Sequence, residues 1–173
     1  NARLYPNDVG LIERVPAEGK RREITWKQFD EGVNRFANVL LKKGIKKGDK
    51  VIHLMMNSID WLIAYFGIVR TGAWAVPLNF RFTGNDIKYC CDVVEPQCVI
   101  FGEDFIDRID KIRNDLSTVK HYIFAGKEVP SYAEPLDRLV EKSTSTPPRT
   151  EIFLSDPCGL YFTSGTTGQA KPI

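Results

Sequence analysis

Near the carboxyl end of this 173-residue sequence stands Tyr161-Phe162-Thr163-Ser164-Gly165-Thr166-Thr167-Gly168-Gln169-Ala170-Lys171. Thr163, Ser164, Thr166 and Thr167 carry hydroxyl donors, Gly165 and Gly168 allow sharp backbone bends, and Lys171 adds a positive charge. Glycines of this kind let successive backbone N–H groups turn toward one anion, and neutral hydroxyls with a lysine complete a cradle for a phosphate chain. Gly, Ser and Thr are also common in plain surface loops, so composition alone leaves that reading standing. Placement favours the phosphate: the segment follows an apolar, strand-like run, and ligands of parallel α/β sheets bind beyond the carboxyl ends of strands. It is not a Walker A loop. Counting from Gly165, Ala170 stands where the second glycine belongs, and Pro172 replaces the hydroxyl residue that would hold magnesium.

Other groups offer less chemistry. The four cysteines, Cys90, Cys91, Cys98 and Cys158, form no C-x-x-C pair, and the two histidines, His53 and His121, lie far apart. Reduced thiols and ordinary structural histidines are expected, with no zinc site. Lys plus Arg is 24 against 22 Asp plus Glu, so the net charge of +2 carries no footprint for nucleic acid or an anionic membrane. The longest apolar stretch, Trp61 to Val69, is far too short to span a bilayer, and no signal peptide is evident. A cytoplasmic protein without a transmembrane segment is the expectation. The sequence leaves homo-oligomer formation open.

The elements that must position the segment follow from periodicity. Thr25 with Gln28 forms a capping box before a helix whose apolar face is Trp26, Phe29, Val33, Phe36, Ala37, Leu40 and Leu41, and Gly44 stops it. Val51 to Met55 reads as a strand. Asn57-Ser58 caps a helix over Ile59 to Arg70, apolar nearly all round and therefore expected to be deeply buried. Ala73 to Leu78 is an apolar strand, Thr83 caps a helix running to about Val94, and Pro96 prevents its extension. Gln97 to Phe101, Val119 to Phe124 and Cys158 to Thr163 complete the strands. Phe105 to Leu116 and Tyr132 to Lys142 read as helices. Upstream, Val9 to Ile12 reads as a short strand and Pro16 to Arg22 as a polar turn. Ser143 to Pro148 reads as a surface loop or linker. Continuous apolar strands alternating with helices predict an α/β fold, a mostly parallel sheet flanked by helices on both faces.

With the motif and its flanks in view, the sequence resembles the adenylate-forming superfamily: acyl-CoA synthetases, peptide-synthetase adenylation domains and luciferases. The family's phosphate loop reads Tyr/Phe-Thr-Ser-Gly-Thr-Thr-Gly-x-Pro-Lys-Gly, which Phe162 to Gly168 match without a gap and Lys171 rejoins. Ile24 to Phe29, Gly44 to Val51, Asn57-Ser58 and Gly72 to Asn79 also match, so the likeness runs from about Thr25 to Lys171. Pro77-Leu78-Asn79 resembles the acyl-CoA synthetase, AMP-dependent synthetase and ligase branch. Ala170 departs from the family's proline and Pro172 from its glycine; the cost of Pro172 turns on whether an N–H is used at that position.

The resemblance implies a two-step acid–thiol ligase, with part of a large N-terminal, AMP-binding domain over residues 1–173. A carboxylic acid substrate would attack ATP to give acyl-AMP and pyrophosphate, and coenzyme A would then displace AMP to give an acyl-CoA, as in fatty acid metabolism. ATP, Mg²⁺ and coenzyme A are the implied cofactors and co-substrates. By the same carry-over, Thr163, Ser164, Thr166 and Thr167 donate to the β- and γ-phosphates, Gly165 and Gly168 give clearance, and Lys171 supports the charge. The family's acyl pocket, adenine contacts and C-terminal domain with its catalytic lysine lie downstream of this loop. The chain starts at Asn1 and stops inside a Gly- and Pro-rich segment, so a fragment, inactive alone and without catalytic residues of its own, is expected. Two other readings stand beside this one. An adenylation domain that loads a carrier protein would be marked by a downstream carrier-domain serine. A phosphate- or nucleotide-binding module without ligase activity would be marked by a native stop near Ile173.

Overall fold

The computed structural model describes residues 1–163 and 170–173. Its centre is a parallel sheet of five strands in the order β4-β3-β5-β6-β7, namely Trp74–Pro77, Lys50–Leu54, Cys98–Gly102, His121–Ala125 and Glu134–Pro135. Its middle strands read Val51-Ile52-His53-Leu54 and Cys98-Val99-Ile100-Phe101, with every one of these residues buried. Apolar residues on both strand faces require cover on both sides of the sheet. Ile52, Leu54, Val99 and Phe101 pack on one side against α3 (Gly84–Val94) and α4 (Ile106–Ile112). Val51, Met55, Cys98 and Ile100 pack on the other against α1 (Trp26–Lys42), α2 (Ile59–Arg70) and α5 (Leu136–Glu141). The predicted α/β class with a mostly parallel sheet between helical layers is the observed fold.

The caps form as expected. The Thr25 hydroxyl accepts from the Gln28 N–H while the Gln28 side chain accepts from the Thr25 N–H, and Ser58 accepts from the Trp61 N–H. Thr83 is joined to Asp86 in a second capping box. Gly44 and Gly72, with φ of +80° and +77°, take the left-handed turns that end α1 and α2.

Three expectations are corrected. Helix α2 is only partly buried: Ile59, Ala64, Gly67 and Ile68 are enclosed, whereas Phe66 is 44% exposed. A helix lying on one face of a sheet has one side turned away from it, whatever its composition. The reading of Pro16 to Arg22 as a turn is too long, because β1 (Val9–Val15) and β2 (Lys20–Thr25) form an antiparallel hairpin around a short 3₁₀ turn at Pro16–Glu18. Tyr132 to Lys142 is not one helix, since Glu134–Pro135 pairs with β6 before α5 begins. Ser143 to Pro148 is a loop, as expected, and its first residues are fastened to α1: Arg35 donates to the Ser143 carbonyl, and the Asn38 amide donates to the carbonyls of Thr144 and Thr146.

Candidate functional site

The approach to the glycine- and hydroxyl-rich segment is held at two points. The Lys47 ammonium pairs with Asp156 at 2.5 Å and lies 4.8 Å from the Phe153 ring centre. This hydrogen bond holds the Asp156 carboxyl below its ordinary pKa, and the Phe153 N–H donates to the same carboxylate. The chain then joins the outer edge of β4: the Ala75 N–H donates to the Cys158 carbonyl and the Leu160 N–H to the Ala75 carbonyl. Gly159 and Ala75 thus form a parallel bridge, the start of a further sheet strand.

Beyond Leu160 the backbone leaves the sheet and pairs with the last residues of the chain. β8 (Phe162–Thr163) runs antiparallel to β9 (Lys171–Pro172), with Phe162 opposite Pro172 and Thr163 opposite Lys171. Tyr161 and Ile173 exchange both backbone hydrogen bonds, at 3.0 and 2.8 Å. The sequence predicts a buried strand at Cys158 to Thr163. The observed segment is instead half-exposed: it makes a single bridge to the edge of the central sheet and then a separate two-stranded pairing with β9.

Of the predicted phosphate-binding residues, Thr163 and Lys171 are brought face to face at the base of this hairpin, with the Thr163 hydroxyl donating to the Lys171 carbonyl at 3.4 Å. Both side chains are exposed. Ser164, Gly165, Thr166, Thr167 and Gly168 lie outside the described residues.

Pro172 sits harmlessly in this ladder. Antiparallel pairs alternate between those that exchange two hydrogen bonds and those that exchange none. Tyr161 and Ile173 are of the first kind, so Phe162 and Pro172 are of the second. An N–H at position 172 would point away from β8, and the missing donor removes no rung.

A cleft of about 890 Å³ lies elsewhere, beyond the carboxyl ends of β3, β5 and β6. The chain leaves β3 into α2 on one face of the sheet and leaves β5 toward α4 on the other, so this is the topological switch point of the sheet. Its lining includes Asn57, Gly102, Glu103, Gly126 and Lys127, with Lys20 and Arg22 from the hairpin. Much of the charge there serves the fold. Arg22 pairs with Asp60 at 2.9 Å, Glu13 accepts from the Ile59 N–H at 2.7 Å, and Glu103 accepts from the Lys127 N–H at 2.6 Å. Sequence reasoning missed this cleft because its walls come from widely separated segments with no local motif.

His53 and His121 occupy the structural positions expected of them. His121 shares a 3.0 Å hydrogen bond with the Lys43 carbonyl. His53 is fully buried against Trp61, and that burial lowers its pKa to about 3. Cys90, Cys91 and Cys98 are buried free thiols with pKa values pushed up to about 12, whereas Cys158 is a free thiol on the surface. Among the described residues no group of His, Cys, Asp and Glu side chains is set to hold a metal ion, and no helix is long and apolar enough to cross a membrane.

Comparison with known proteins fits this geometry. The family model described as "AMP-binding enzyme" matches residues 1–173. The 3-hydroxybenzoate–CoA/4-hydroxybenzoate–CoA ligase of Thauera aromatica is 28% identical over 169 residues, covering 97% of this chain and 32% of that protein. The crotonobetaine/carnitine–CoA ligase of Salmonella paratyphi B is also 28% identical, covering 99% of this chain and 34% of that protein. Among solved structures, the N-terminal domain of FACL13 from Mycobacterium tuberculosis superposes with a TM-score of 0.83 at 30% identity, over 99% of this chain and 41% of that one. The anthranilate CoA ligase AuaEII in complex with anthranoyl-AMP gives 0.90 at 26% identity, over 98% of this chain and 32% of that one. The chain spans about a third of the length of the curated relatives it matches.

Proposed function

We propose, from the premise that this chain belongs to the AMP-binding enzyme family, that it forms part of the N-terminal domain of an ATP-dependent acyl- or aryl-CoA ligase and carries that enzyme's phosphate-holding segment. The observation that carries the reading is the placement of Thr163 and Lys171 opposite each other on β8 and β9, the two strands that bracket the motif. A hydroxyl donor and an ammonium at the base of one hairpin are the groups a phosphate chain calls for.

The chemistry asked of them is electrostatic. A carboxylate is a poor acyl donor, and joining it to AMP gives it a good leaving group. The carboxylate oxygen attacks the α-phosphorus of ATP, the bond to the bridging oxygen breaks, and pyrophosphate leaves with that electron pair. Coenzyme A thiol then replaces AMP. Thr163, Ser164, Thr166 and Thr167 donate to the non-reacting phosphates, Gly165 and Gly168 leave room for them, and Lys171 offsets their charge. Holding these groups in line lowers the barrier by orientation and by charge stabilisation. Mg²⁺ accompanies the ATP phosphates and supplies further charge neutralisation when bound. The acid pocket and the proton-transfer groups belong to the remainder of the enzyme, whose expected location is the cytoplasm.

The relatives named for CoA ligation support coenzyme A as the acceptor over a carrier protein. The test is pyrophosphate release from ATP by the complete polypeptide, across benzoates, straight-chain fatty acids and short quaternary-ammonium acids, with and without coenzyme A. Acid-dependent release with a thioester product is the expected result. Release with no thioester would move the assignment to carrier-protein loading. No release with any acid would leave a nucleotide-binding module.

A further inference from the structure

Tyr161 stands where the hairpin leaves the body of the domain. Its backbone exchanges two hydrogen bonds with Ile173, and its hydroxyl lies 2.5 Å from the hydroxyl of Tyr65 on α2. One residue before it, Leu160 makes the segment's last backbone bond to β4. Tyr161 therefore joins α2 through its side chain and Ile173, the residue that follows β9, through its main chain.

Both sides of the contact are prepared. Gly159 makes room for the Tyr161 ring: a Cβ there would come within 3.0 Å of Tyr161 Cε2 and 3.3 Å of its hydroxyl oxygen. Tyr65 is braced by Trp61, whose ring is stacked on it at 5.4 Å and 7°, and Trp61 is stacked in turn on buried His53 at 4.6 Å. Phe66 meets the Tyr65 ring edge-on at 5.4 Å. A hydroxyl held by such a stack is a fixed point, and aromatic rings give it at little entropic cost. On the other side of the segment, Leu160 and Phe162 pack against the cluster under α3 and α4.

We infer that Tyr65 and Tyr161 are positioning residues for ATP, their hydroxyl–hydroxyl bond setting the placement of the β8–β9 hairpin and hence of Thr163 and Lys171. The inference rests on the ligase reading for its kinetic consequence and on the geometry alone for its mechanical one. The two tyrosines touch no reacting atom. They act through the strands that carry the phosphate-binding groups.

The test uses Tyr65→Phe, Tyr161→Phe and the double variant in the complete enzyme, with Tyr122→Phe as control. The Tyr122 hydroxyl bonds the Arg113 carbonyl and does not face the hairpin. Loss of one hydrogen bond of ordinary strength predicts about a fivefold fall in kcat/KM for ATP in each single variant. The double variant falls no further, since one bond is lost in every case. KM for the carboxylic acid and for coenzyme A stays within about twofold, and the control is unchanged. Amide hydrogen exchange at Thr163 and Lys171 quickens in the same three variants and not in the control. Wild-type ATP parameters in all three, additive losses, or unaltered exchange would each overturn the inference. An inactive wild-type enzyme would overturn the ligase reading instead, and the exchange rates would still decide whether the pair holds the hairpin.

Discussion

The rings of His53 and Trp61 stack 4.6 Å apart with their planes 29° from parallel, and neither imidazole nitrogen has a hydrogen-bond partner among the described residues. Burial alone lowers the His53 pKa from 6.5 to about 3, so the folded state holds a neutral ring. Between those values the unfolded chain binds a proton that the folded chain does not, and stability falls as pH falls. At pH 5 the loss relative to pH 7 is roughly 2 kcal/mol from this residue. His53→Phe keeps a flat ring against Trp61 and removes the proton. Urea unfolding at pH 7 and pH 5 should show a smaller acid loss in the variant by about that amount; equal losses would mean that His53 finds a proton partner in solution.

Gly67 sets two physical effects against each other. In the middle of α2, alanine is intrinsically better than glycine by about 1 kcal/mol. A Cβ at this position, however, would fall 2.7 Å from Phe36 Cδ1 and 3.1 Å from Phe36 Cβ, where α1 packs on α2. Phe36 is fully buried and has nowhere to move. Overpacking should win, with Gly67→Ala losing on the order of 1–2 kcal/mol in chemical denaturation. A gain in stability would show that the two helices slide apart freely.

The difference between what could and could not be read from the residues is one of range. Thr25, Gln28, Ser58 and Thr83 act on neighbours within one helical turn, and their caps form where expected. The middle strands were legible because apolar residues on both faces require a sheet covered on both sides. β2 was not, since Lys20-Arg21-Arg22-Glu23 has no apolar alternation and is a strand only through its pairing with β1. β7 was hidden for a similar reason, being two residues with a proline at the sheet edge. At the candidate site the motif gave the residue types, but the pairing of Thr163 with Lys171 depends on the chain turning back on itself. The Tyr65–Tyr161 bond spans 96 positions, and no local pattern encodes it.

The four cysteines should separate sharply in reactivity. Desolvation pushes Cys90, Cys91 and Cys98 up to about 12, so their thiolate fraction at neutral pH is negligible, and their sulfurs are shielded. Cys158 is exposed, on the segment that bridges to Ala75. A disulfide reagent should titrate Cys158 alone among these four in the native protein and all four after denaturation. Fast reaction of a second of them would reveal local opening of α3 or β5.

The two departures from the family's phosphate-loop pattern invite the view that the segment has lost its function, and Pro172 is the stronger case. Its place in the ladder argues the other way, because it faces Phe162 at a position that exchanges no hydrogen bonds. Pro172→Gly, which installs the family's residue, should therefore leave KM for ATP within about twofold in the complete enzyme, while adding only the conformational freedom of glycine to the unfolded chain. Lys171→Ala should behave differently, since it removes a charge opposite Thr163 at the base of the hairpin. Loss of one charge-assisted contact to phosphate predicts a rise in KM for ATP of about 10- to 100-fold. The two substitutions are adjacent, so any general disturbance of β9 would affect both. A large effect of Pro172→Gly with a small effect of Lys171→Ala would mean that the backbone at position 172, rather than the lysine beside it, governs how the segment meets the phosphates.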